Sequence, residues 1–97
     1  MKKLVFTLVA ASLSVPAMAA QTVVLGPPQF AEGGYANRGQ CESALAAERN
    51  RQRRDPTARG AGYQDLTGSE FNRESRRTTR CEEINGRYVV VFNANGF

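Results

Sequence analysis

Four arginines fall within the six residues from Arg49 to Arg54, in the stretch ERNRQRRDP. Guanidinium forks suit phosphate and carboxylate, so Arg49, Arg51, Arg53 and Arg54 are the candidate binding residues. Cys41 and Cys81 are the two cysteines, and histidine is absent. Without an imidazole base, no Ser/His or Cys/His nucleophile can be assembled. The cysteines have neither a C-x-x-C spacing nor a histidine beside them, so redox turnover and a metal site are not expected. No cofactor is called for. The carboxylates do not converge: Glu82 and Glu83 are neighbours on an extended run and point to opposite faces. Glu70 and Glu74 share a helix face, but arginine stands three residues after each (Arg73 and Arg77), the spacing of helical ion pairs. Gly60-Ala61-Gly62 lacks the surroundings of a phosphate loop. These residues point away from an enzyme, with a carboxylate-dependent one as the remote alternative.

The N-terminal residues point to a compartment. Lys2 and Lys3 precede an apolar run from Leu4 to Val15, Pro16 breaks it, and Ala17-Met18-Ala19 offers small residues where a signal peptidase reads. This is the pattern of a cleaved secretory signal. A dozen apolar residues are too few for a hydrocarbon core of about 30 Å. The reading is a signal peptide over residues 1–19, cleavage after Ala19, and one small domain over 20–97 in a bacterial periplasm or secreted. Both lysines leave with the signal, and the formal net charge falls from +4 to +2. A charge that small does not announce a polyanion partner. In an oxidising compartment two cysteines allow one pairing, Cys41 with Cys81. Closing a loop of that length is worth about 4 kcal/mol in the chain-entropy account.

The elements that hold these residues are legible from local signals. Thr22 to Leu25 (TVVL) reads as a strand, stopped by Gly26-Pro27-Pro28. A loop follows, with Phe30 and Tyr35 as its anchors. Asn37 can cap a first helix, with Gln40 placed to reach back to the cap's N–H. On a helical wheel Cys41, Ala44, Leu45, Glu48 and Gln52 share one narrow face, apolar only as far as Leu45. In LTGSEF, Thr67 caps a second helix from about Gly68 to Arg77 and Glu70 completes a capping box, with Leu66 and Phe71 as a hydrophobic staple. Asn85-Gly86 between two β-rich runs is a hairpin signal. A two-residue loop pairs Ile84 with Arg87, Glu83 with Tyr88, Cys81 with Val90 and Thr79 with Phe92. Cys81, Tyr88, Val90 and Phe92 then share the core face. The opposite face carries Arg80, Glu82, Ile84, Arg87, Val89 and Val91, a mixture that implies partial exposure or a partner.

The fold class expected is α+β, in the order β-α-α-β-β with one disulfide. A three-stranded, mostly antiparallel sheet, made of the C-terminal hairpin and the N-terminal strand, is covered on one face by two helices. The function expected is that of a small exported non-catalytic protein, a binding or accessory module for another protein or an envelope component. The alternative is a polyanion binder using the arginine-rich helix end. The wheel weighs against it: Arg49, Arg53, Arg54 and Arg51 fall near ~80°, ~120°, ~220° and ~280° from Cys41, spread around the solvent side. A solvated helix end gains dipole stabilisation from the same residues. The partner classes are thus a protein or an anionic envelope polymer. Nucleic acid is disfavoured, because the aromatics belong to the core and no basic surface is interleaved with them.

Overall fold

The computed structural model describes residues 22–97, so the expected signal peptide lies outside the described residues. Strand β1 (Thr22–Leu25) leads into helix α1 (Arg38–Arg54), a 3-10 turn (Pro56–Ala58), helix α2 (Gly68–Thr78), and strands β2 (Thr79–Ile84) and β3 (Arg87–Asn93). The sheet is antiparallel with the order β1-β3-β2. This is the expected β-α-α-β-β architecture.

Each boundary has a local cause. The Asn37 side chain accepts from the Gln40 N–H at 2.9 Å. Gln40 reaches one residue further back than the cap, accepting from the Ala36 N–H at 3.3 Å. Helix α1 stops at Asp55, whose carboxylate accepts from the Thr57 N–H at 3.1 Å and caps the 3-10 turn instead. Pro56 then has no N–H with which to extend the longer helix. Thr67 and Glu70 form the full capping box of α2. The hairpin turns through positive φ at both Asn85 (53°) and Gly86 (81°), the conformation that an Asn-Gly pair adopts with least strain. Its register pairs Thr79 with Phe92, Cys81 with Val90, Glu83 with Tyr88 and Ile84 with Arg87.

The core lies between the sheet and α1. Phe30, Cys41, Leu45, Cys81 and Val90 are buried together, with Leu25, Tyr35, Ala44 and Tyr88 packed around them. Cys41 and Cys81 are bonded across this core, their Cα atoms 6.2 Å apart. Tyr35 fixes the long loop by exchanging backbone hydrogen bonds with Tyr88, at 2.7 and 2.9 Å.

The opposite sheet face is less open than its composition implies, since Val89 and Val91 are both buried. Part of the cover is the chain's own loop. Gly34 passes so close that a Cβ there would lie 2.6 Å from a Val89 methyl and 2.5 Å from the Tyr88 carbonyl oxygen. Arg87 holds that loop down, donating to the carbonyls of Gly33 and Gly34 at 3.0 and 2.9 Å. On the same face the Arg80 guanidinium stacks 4.1 Å from the Phe97 ring centre. The central strand is therefore buried on both faces along Val89-Val90-Val91, and Ile84 is left exposed at the hairpin end.

Candidate functional site

The four arginines of the run go to different places. Arg49 points inward, where Nε donates to Ser75 Oγ at 3.1 Å and Nη2 donates to the Thr79 carbonyl and hydroxyl at 2.9 and 2.8 Å. These partners sit where α2 passes into β2 with no residue between, so a single guanidinium clasps helix end and strand start. Burial, reinforced by the charge of Arg76, lowers the Arg49 pKa; an arginine remains protonated all the same. Arg51 grips Glu48 at 3.0 and 2.6 Å. Burial raises the Glu48 pKa, but hydrogen bonds from Arg51 and Gln52 with the Arg51 charge outweigh it and hold the carboxyl below its ordinary value. Arg53 donates to Asn50 Oδ1 at 2.6 Å. Arg54 makes no ion pair among the described residues and is exposed. The structure brings Arg49 and Arg53 to one side of α1 and leaves Arg51 and Arg54 off it.

A fifth arginine, singled out by no sequence signal, is the most buried. Arg59 is only 4 % exposed. It donates to the carbonyls of Gln52 (2.7 Å), Arg53 (3.0 Å), Tyr63 (3.1 Å) and Leu66 (2.8 Å). Its guanidinium also lies 4.6 Å from the Phe71 ring centre. Gln52 and Arg53 are in the last turn of α1, whose carbonyls lack helical partners and carry the negative end of the dipole. Arg59 thus ties the end of α1 to the 59–66 loop and the first turns of α2. A cation after a helix end can cap it, but nothing in the local spacing separates Arg59 from the solvated arginines before it.

Beyond Leu45 the helix face turns polar, and there the helices part from the sheet. A cavity of about 420 Å³ opens between them, walled by Leu25, Phe30, Leu45, Tyr63, Phe71 and Phe92. Glu48, Gln52 and Gln29 are among its polar lining residues. The fading of the apolar wheel at Glu48 and Gln52 has a structural meaning: these residues border an opening instead of a packed core. Val24 and Leu25 of β1, one of the two edge strands of the sheet, line this cavity. Val23 and Val24 of that strand are about half exposed, at 49 % and 55 %.

The carboxylates remain separate. Glu74 pairs with Arg77 and Glu82 with Arg80, and the Glu70 carboxylate accepts from the Thr67 N–H at 2.9 Å. Among the described residues no three Cys, Asp or Glu side chains cluster where a metal ion could be held. No helix among them is long and apolar enough to cross a membrane. The buried disulfide fits an oxidising environment outside the cytosol. No protein-family model, curated protein or solved structure matches the chain.

Proposed function

We propose that this is an exported, non-catalytic binding module, periplasmic or secreted after loss of residues 1–19, which contacts another protein through β1 and the cavity beside it. The observation that carries this reading is the juxtaposition of an unprotected strand edge with an apolar opening. Edge strands are ordinarily guarded by charge, proline or a bulge. Thr22-Val23-Val24-Leu25 has none of these, and among the described residues no strand pairs with its outer edge. A partner strand added there would gain backbone hydrogen bonds, and alternate side chains would reach the aromatic-walled cavity. The non-catalytic part of the reading is supported by the scatter of the carboxylates, with Glu48, Glu74 and Glu82 engaged by arginines and Asp55 and Glu70 by helix caps. Export is supported by the signal pattern together with the disulfide.

The test is site-specific photo-crosslinking in the native envelope, followed by pull-down of the tagged protein. A crosslinker replacing Val23 should give a discrete protein adduct, and one replacing Ile84, equally apolar and exposed on the far face, should not. Adducts with polymer alone, or equal capture from both positions, would overturn the reading.

A further inference from the structure

Helix α2 runs back along α1. Its first residue, Gly68, lies against Arg53, with 3.4 Å between the Arg53 Cγ and the site of a Gly68 Cβ. Seven residues on, Ser75 meets Arg49. The groove between the helices is walled on α1 by Glu42, Ala46, Arg49, Asn50 and Arg53, and on α2 by Asn72 and Arg76. The spacing explains the grouping: positions 42, 46, 49, 50 and 53 form one face of a helix, as do 72 and 76. Ala46 supplies a low floor between longer side chains.

The charge along this groove is unbalanced. Arg51, Arg77 and Arg80 each hold a carboxylate, and Arg49, Arg59 and Arg87 are spent on backbone and hydroxyl groups. Arg53 has only the neutral Asn50 amide, and Arg76 has no hydrogen-bond or ion-pair partner among the described residues. Both line the groove from opposite walls, and the Arg49 charge lines it with them. The one carboxylate present, Glu42, stands at the opposite end and is itself shared with Arg38 at 3.9 Å.

We propose that the groove between α1 and α2 binds a phosphate group, held between Arg53 and Arg76 with the Asn50 and Asn72 amides as further donors. A carboxylate is satisfied by a single guanidinium fork. A tetrahedral phosphate carries up to two charges and at least three acceptor oxygens, so it can be gripped from both walls at once. Repulsion from Glu42 disfavours that end of the groove, which leaves the stretch between Arg53 and Arg76, where Asn50 and Asn72 also line it. The site shares Arg49 and Arg53 with the sequence-level candidates and substitutes Arg76 for Arg51 and Arg54. It is separate from β1 and independent of the reading given for that edge.

Inorganic phosphate is titrated into the oxidised protein at constant ionic strength, following the side-chain amide resonances of Asn50 and Asn72. In parallel, sedimentation is measured with phosphatidylcholine vesicles with and without phosphatidate. Saturable shifts with phosphate, or binding confined to phosphatidate vesicles, carry the proposal and distinguish a free phosphate from a lipid headgroup. In either arm the Arg53→Gln, Arg76→Gln double variant should bind at least about tenfold more weakly, the loss of one to two charge-assisted contacts. Arg51→Gln, Arg54→Gln changes the net charge equally and should stay within about twofold of wild type. Equal losses in the two variants, or no saturable binding in either arm, would overturn the proposal. Unchanged far-ultraviolet dichroism and melting confirm that each variant is folded.

Discussion

Replacing Arg59 with alanine is expected to be the most damaging single change at an arginine in this chain. The side chain supplies four hydrogen bonds to carbonyls on three segments: the end of α1, the loop at Tyr63, and Leu66 just before α2. A bond to a charged donor is worth about 1.5–3 kcal/mol when its loss leaves a buried partner unsatisfied. Water entering the vacated space would re-solvate some of these carbonyls, chiefly those at the helix end. With about half the bonds lost outright, the destabilisation is about 3–6 kcal/mol. A small domain is stable by about 5–15 kcal/mol in all, and each kcal/mol moves its melting temperature by about 4–8 °C. Arg59→Ala should therefore melt at least about 12 °C below wild type, followed by far-ultraviolet circular dichroism with the disulfide intact. Arg59→Lys keeps the charge but gathers its donors on one nitrogen, which cannot span three segments, so it should recover less than half the loss. Arg54→Gln, at an exposed position, should stay within about 0.5 kcal/mol. An Arg59→Ala loss under about 1 kcal/mol, or full rescue by lysine, would refute the assignment of Arg59 as a tie between segments.

Replacing both Cys41 and Cys81 by serine should lower stability by about 4 kcal/mol, measured as a shift in the urea midpoint, and non-reducing peptide mapping of wild type should recover the linked pair. Acid should weaken the fold through its lowered carboxyls. Glu48 is held down by Arg51 and Gln52 against the effect of burial, Asp55 chiefly by hydrogen bonds from Thr57, and Glu74 chiefly by one from Arg77. A carboxyl whose pKa drops on folding contributes fully above its unfolded value, and that contribution disappears as pH falls through its folded value. The urea midpoint should thus hold down to about pH 5 and fall below it, and Glu48→Gln should make that fall shallower.

Much of the fold was readable because its signals are local. The Asn85-Gly86 turn fixes the hairpin register, and through it the face on which Cys81 lies. The Asn37 cap and the Leu45 face do the same for Cys41, and the disulfide joins the two readings. Tertiary partners were not readable. That β1 pairs with β3 and not β2 depends on chain crossing, which no spacing encodes. The cover over Val89 comes in part from a distant loop that needs Gly34 for its close approach. The arginines divide in the same way. A wheel separates Arg49 and Arg53 from Arg51 and Arg54, but only the position of α2 turns one into a clasp and sets another in a groove shared with Arg76. Arg59 has the same composition around it as its solvated neighbours and differs only in what folds over it.

The position of β1 also orders the events of folding. Both helices and the hairpin are closed by contacts between residues near in sequence, whereas Thr22 meets Asn93 across 71 residues. A chain made from its N-terminus exposes β1 first and seats it last, since β3 is the final strand to appear. Oxidation shortens that wait. Once Cys41 and Cys81 are joined, the path from Thr22 to Asn93 through the crosslink is less than half as long, easing closure of the sheet by about 0.6 kcal/mol for that halving. The disulfide therefore does more than brace the finished core: it brings the two distant strands within reach, so thiol oxidation should precede the docking of β1.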